Sequence, residues 1–178
     1  MRLEWRAMTE AEPLPLSAAP LDAYVRRVRS GKLTQPLPNP VLLWVAPVEG
    51  AAPSQALTLS QLATDDPTEA LAKASLVFEL PVKKDEPSRV VLGRGRDCEL
   101  CIQVPSVSRH HAELALWDGS WRVKDLGSHN GTVLDKERLA GNETRALADG
   151  ARLWLGGITL VFMGPTSFLE HVGKLAWR

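Results

Sequence analysis

Three short stretches of the chain collect side chains that hold anions without reacting with them: G-R-G-R-D-C (93–98), P-S-V-S-R-H-H (105–111) and G-S-H-N-G-T (127–132). If the three meet, they gather Arg94, Ser108, Arg109, Ser128, His129 and Asn130 around one hollow. That set is a guanidinium fork, hydroxyl donors, further cations and an amide able to donate and accept. It suits a dianionic phosphate carried on a peptide. Arginine offers bidentate charge-assisted hydrogen bonds, serine hydroxyls serve the remaining oxygens, and asparagine pairs with an extended backbone. These loops hold no base set against a nucleophile and no carboxylate pair, so no catalytic residue and no cofactor are expected.

Two reactive constellations are tempting on paper. Cys98-x-x-Cys101 with His110 and His111 offers four ligands of types that zinc accepts, but adjacent histidines on a strand point to opposite sides and the spacing is not that of a finger. A Ser108, His111, Asp125 triad lacks any signal of an oxyanion hole or a strained nucleophile turn. Neither a metal site nor an enzyme is expected from them. The cysteines read as small apolar fillers beside a strand.

Loops of this kind need a scaffold whose strand ends bring them together. From Ser75 onward the chain alternates short apolar runs with turn residues, which predicts strands near 75–82, 89–93, 99–102, 112–117, 121–126, 132–135, 152–156 and 158–163. D-E-P-S, W-D-G-S, G-S-H-N-G and A-D-G supply the turns, at a spacing that suits a sandwich or barrel and not βαβ units. Phe168, Val172 and Leu175 share one face of a helix predicted over 167–176. Earlier, Leu21, Tyr24, Val25 and Val28 recur at helical spacing opposite Arg26, Arg27 and Arg29, and Gly31 closes that helix. V-L-L-W-V-A-P (41–47) is an apolar run of strand length, and Trp44 and its neighbours need a packing partner. D-D-P-T-E-A-L-A-K-A (65–74) starts a second helix with Asp66 as cap, Pro67 in the first turn and Glu69 completing a capping box.

Composition narrows the partner. The 178 residues carry 21 Lys+Arg against 21 Asp+Glu and are 44% hydrophobic, an ordinary globular make-up with no global field to draw in nucleic acid or an anionic membrane. Anion binding must come from a local cluster. The Arg26, Arg27, Arg29 and Lys32 run reads as a solvated helix face. No apolar run approaches the roughly 18 residues of a membrane span, and the start of the chain lacks the apolar stretch of a secretory signal, so a cytoplasmic protein is expected. Two cysteines, Cys98 and Cys101, fit a reducing compartment.

The ordered set V-L-G-R (91–94), S-R-H-H (108–111), D-L-G-S-H-N-G-T (125–132) and L-A-D-G-A-R-L-W-L-G-G (147–157) resembles a forkhead-associated (FHA) domain over about residues 75–164. The resemblance implies an all-β, two-sheet β-sandwich that binds phosphothreonine peptides through loops at one end. It gives Arg94 and Ser108 the phosphate, Arg109 an assisting charge and Asn130 the peptide backbone. His129 stands where the family commonly has a threonine or another polar residue, which makes phosphate affinity more sensitive to pH. Gly93, His111 and Gly131 match positions that shape the loops. Of the three consecutive basic residues, Arg109 is expected to face ligand, His111 to brace the loop and His110 to be exposed.

The expected organisation is a partly helical, Pro/Ala-rich N-terminal extension (1–74), an FHA-like sandwich (75–164) and a C-terminal helix (165–178). The resemblance implies a non-enzymatic signalling module in a Ser/Thr kinase pathway, its partner a Thr-phosphorylated protein or the kinase itself. Thr9 and Thr64, each followed by acidic residues, are candidates for self-docking of a phosphorylated arm. The alternative is a scaffold that uses the same sandwich to bind partners without phosphate.

Overall fold

The computed structural model describes residues 18–45, 75–82 and 88–177. Twelve strands are found there: β1 (Ala18–Pro20), β2 (Val41–Val45), β3 (Leu76–Glu79), β4 (Arg89–Gly93), β5 (Leu100–Cys101), β6 (Ala112–Trp117), β7 (Ser120–Asp125), β8 (Thr132–Leu134), β9 (Glu137–Arg138), β10 (Thr144–Ala146), β11 (Arg152–Leu155) and β12 (Ile158–Met163). Two helices accompany them, α1 (Leu21–Arg29) and α2 (Pro165–Ala176). The strands form two sheets, in the orders β1-β3-β2-β12-β11-β8-β9 and β10-β7-β6-β4-β5. Every pairing is antiparallel except β4 with β5, where Leu92 and Gly93 face Leu100 and Cys101.

Alternation along the strands builds the sandwich. In β12, Ile158, Leu160 and Phe162 point into the core between the sheets, where they join Val90, Leu92, Leu114, Trp121, Val123 and Leu153. The intervening Val161 and Met163 face a second core on the outside of the larger sheet. β2 is apolar on both faces for the same reason. Its Leu42 belongs to the sandwich core, while Val41 and Leu43 lie under the helices. A strand covered on both sides reads as a continuous apolar run instead of an alternating one.

The helices form that cover. α1 contributes Leu21, Tyr24 and Val25, α2 contributes Phe168, Val172 and Ala176, and Tyr24 meets Phe168 edge to face at 5.2 Å between ring centroids. Phe168 is wholly buried, so truncating it to alanine costs about 3–5 kcal/mol. α2 begins at Pro165, two residues before the predicted start, because proline is preorganised for the first helical turn and its missing N–H has no partner to lose there.

Residues 18–45, assigned by sequence to an N-terminal extension, contribute two strands and a helix to this arrangement. β2 sits between β3 and β12 in the larger sheet, and Trp44 finds its partners across the ladder in Leu160 and Leu76. The helix predicted over 65–74, and both Thr9 and Thr64, lie outside the described residues. β1, β9 and β10 were not anticipated, because edge strands of two or three residues leave no apolar alternation to detect. The W-D-G-S turn is a two-residue hairpin, with Asp118 at φ 49° and Gly119 at φ 74°. Positive φ at both central residues matches the twist of β6 and β7 and holds Trp117 opposite Ser120.

Candidate functional site

β4 ends at Gly93, and the chain then turns through Arg94–Asp97 before re-entering the smaller sheet at β5. The 105–111 segment leads into β6, and the 126–131 segment joins β7 to β8. All three emerge at one end of the sandwich, and backbone bonds tie them together. The Arg94 amide donates to the Ser108 carbonyl at 3.0 Å and the Gly95 amide to the Arg109 carbonyl at 2.9 Å. A Cβ on Gly93 would lie 2.0 Å from the Arg109 carbonyl oxygen, so the two chains approach this closely only with glycine there.

Ser108 joins the third loop. Its hydroxyl oxygen accepts from the His129 amide at 3.0 Å, which leaves the hydroxyl hydrogen free to be donated outward. Asn130 donates from Nδ2 to the Ser106 carbonyl at 2.7 Å, while the Ser106 hydroxyl donates to the Gly156 carbonyl. That arrangement steadies the amide plane and keeps Oδ1 and the second amide hydrogen for a ligand. Among the described residues, the Arg94 and Arg109 guanidinium groups make no hydrogen bond or salt bridge; both are exposed, though Asp97 lies within electrostatic reach of Arg109.

His111 is wholly buried beneath these loops. Its Nδ1 accepts from the Ser108 amide at 3.1 Å, so the proton sits on Nε2, which donates to the Gly131 carbonyl at 3.2 Å. Burial is the main force holding its pKa below the usual imidazole value; the Gly131 bond and Asp125 oppose that shift. The ring is thus a neutral brace between the second and third loops, and Gly131 takes part through its carbonyl. His110 is exposed and bonds to Asp97 Oδ2 through Nε2 at 2.6 Å.

Asp125, at the end of β7, organises the third loop. Its Oδ1 accepts from the Gly127 and Ser128 amides, both at 2.9 Å, and its Oδ2 accepts from the Ser128 and Thr132 hydroxyls, both at 2.7 Å. Burial by itself would raise this carboxyl, but the bonds from Thr132, Ser128 and Gly127 outweigh it and hold the group below its usual value. Ser128 therefore spends its hydroxyl hydrogen on Asp125. Of the six residues singled out for the ligand, the loops bring Arg94, Ser108, Arg109, His129 and Asn130 to one end with donors or charge facing out, and Ser128 joins them with its donor turned inward. Sequence reasoning missed Ser106 and the bracing role of Asp125. An aspartate followed two and three residues later by Gly and Ser is the signature of an Asx-type turn, which would have found Asp125; nothing local marks Ser106.

Residues 90–156 match the family model of the FHA domain, and this part of the chain is an FHA domain. The chain is 37% identical to the glycogen accumulation regulator GarA of Mycolicibacterium smegmatis, over 47% of this chain and 51% of that protein. It is 35% identical to an oxoglutarate dehydrogenase inhibitor of Corynebacterium diphtheriae, over 46% of this chain and 54% of the relative. The match thus spans about half the length of these curated relatives. Among solved structures, the N-terminal FHA domain of S. cerevisiae Rad53p, in complex with a phosphothreonine peptide, superposes with a TM-score of 0.46 at 21% identity, covering 53% of this chain and 89% of that one. No helix among the described residues is long and apolar enough to cross a membrane.

Proposed function

We propose that the loop end of this FHA domain reads phosphothreonine on a partner protein in a Ser/Thr kinase pathway, as a binding module and not as a catalyst. The observation that carries the reading is the Ser108 hydroxyl, which accepts from the His129 amide and keeps its own hydrogen to donate, on a loop whose backbone is bonded to that of Arg94, with the Arg94 and Arg109 guanidinium groups exposed and unpaired among the described residues. Arg94 provides the bidentate fork to the phosphate, Arg109 adds charge, and Ser108 donates to a third oxygen. Asn130 Oδ1 and its remaining amide hydrogen meet the backbone of an extended peptide, and His129 flanks the phosphate. Ser128, committed to Asp125, shapes the loop, as do Gly93, His111 and Gly131.

Two supports come from outside the geometry: the match to the FHA family, and relatives named as a regulator and an inhibitor. The partner in this reading is a Thr-phosphorylated protein or the kinase, met in the cytoplasm. Phosphorylated Thr9 or Thr64 of the same chain is the intramolecular competitor, its local concentration set by tethering. The test is titration with a phosphothreonine peptide library beside the unphosphorylated twins. Saturable binding confined to phosphorylated peptides is expected, and equal binding of both forms would refute it in favour of a phosphate-independent scaffold. Kinase treatment of the full chain, with site mapping and peptide competition, tests self-docking; unchanged peptide affinity in a fully Thr9- or Thr64-phosphorylated sample rules it out at that site.

A further inference from the structure

We propose that Asp97, Cys98 and His110 form a binding site for one zinc ion beside the arginine-bearing loops. An Asp97 carboxylate oxygen, Cys98 Sγ and a His110 ring nitrogen all lie within 4.8 Å of one another. A tetrahedral zinc ion, with sulfur at about 2.3 Å and nitrogen or oxygen at about 2.0–2.1 Å, holds its ligand atoms roughly 3.3–3.6 Å apart. The His110–Asp97 pair, now 2.6 Å apart, must open by up to ~1 Å, and the widest pair, at no more than 4.8 Å, must close by up to ~1.5 Å. Both side chains have that freedom, being 53% and 65% exposed. Cys98 lies beneath them, buried, with its thiol donating to the Arg109 carbonyl at 3.1 Å.

The donor set chooses the metal. One carboxylate, one imidazole and one thiolate suit a borderline-soft ion and not magnesium or calcium, which take oxygen ligands. This is not the constellation that the Cys-x-x-Cys spacing suggested. His111 spends both ring nitrogens on Ser108 and Gly131, and exposed Cys101 contacts Gln103 Nε2 at 2.8 Å. A cysteine thiol, with an ordinary pKa of about 8.5, carries its proton at neutral pH. Zinc binding forms the Zn–S bond, breaks the S–H bond and releases that proton to solvent, with water completing the fourth position. Arg109, whose charge is felt at Asp97, opposes the ion, so only a cation that gains a thiolate bond overcomes it. Asp97 and Cys98 belong to the Arg94 loop and His110 to the Arg109 loop, so the ion would pin the two arginines relative to each other.

The experiment uses the full chain, stripped with a chelator, and measures zinc affinity by competition with a chromophoric chelator. Cobalt(II) serves as the spectroscopic substitute. One equivalent of zinc, release of a proton on binding, and a thiolate-to-cobalt charge-transfer band are expected. His110→Ala and Asp97→Asn alter exposed residues, so the fold should survive; each should weaken binding by about tenfold or more. Cys101→Ser should bind as the parent does. Absence of saturable binding, a cobalt spectrum without the thiolate band, or binding lost in Cys101→Ser but retained in His110→Ala would each overturn the proposal.

Discussion

Replacing Asp125 with alanine removes the acceptor of four hydrogen bonds at once, and the four donors do not suffer equally. Gly127 is exposed and Ser128 half-buried, so water replaces the carboxylate at the two amides and at the Ser128 hydroxyl. Each of those exchanges costs about 0.5–1 kcal/mol. Thr132 is fully buried, and its orphaned hydroxyl costs about 1–3 kcal/mol more. The total is roughly 2.5–6 kcal/mol, which lowers the midpoint of thermal unfolding by about 2–4 °C for each kcal/mol. Asp125→Asn keeps Oδ1 for the two amides and turns an NH₂ toward two hydroxyl oxygens that are able to accept, so it should cost only about 1–2 kcal/mol. Urea unfolding followed by tryptophan fluorescence ranks the three proteins. Acid separates charge from shape. The Asp125 carboxyl is held below its unfolded value of about 3.9, so its contribution is fully present above that pH and is lost as pH falls through the lower folded value. The gap between wild type and Asp125→Asn should therefore narrow below about pH 4. Asp125→Ala within about 0.5 kcal/mol of wild type, or no milder a loss in Asp125→Asn, would refute the reasoning.

Arg94→Ala should reduce phosphothreonine-peptide affinity by roughly a hundredfold or more with unchanged unfolding, since its guanidinium serves no contact among the described residues; Arg94→Lys should restore only part, and calorimetric titration reads both. Gly93→Ala drives a Cβ to 2.0 Å from the Arg109 carbonyl, backbone against side chain with no flexible end to yield. It should destabilise the protein by about 2–4 kcal/mol and weaken peptide binding together, measured by urea unfolding and titration. His111 has a folded pKa below its unfolded value of about 6.5, so the unfolded chain takes up the proton first. Stability should be level above that pH and fall as pH drops from it toward the folded value. His111→Gln should be less stable at neutral pH and lack this limb of the profile; a wild-type profile flat between pH 7 and 5 would remove the role given to burial.

The candidate site residues stood out in the chain itself because the phosphate recognition proposed for them needs particular chemistry at particular turns. Arg94, Ser108, Arg109 and Asn130 announce themselves by type and by their place after strand-like runs, and Gly93 and His111 by the motif around them. The sandwich was legible for a related reason: β4, β6 and β12 alternate or run apolar for five or six residues, and periodicity survives in any context. Tertiary structure alone decided where β2 goes. An apolar run such as V-L-L-W-V states that both faces are covered but not by what, and the answer, helices on one side and the opposing sheet on the other, rests on residues far away in the chain. The same holds for the turning of Ser128 toward Asp125, for the bond from Asn130 to Ser106, and for the meeting of Asp97, Cys98 and His110. Hydrogen bonds are directional and short-ranged, so whether a polar side chain is spent inside the protein or kept for a ligand depends on atoms that only the folded chain brings within 3 Å or so.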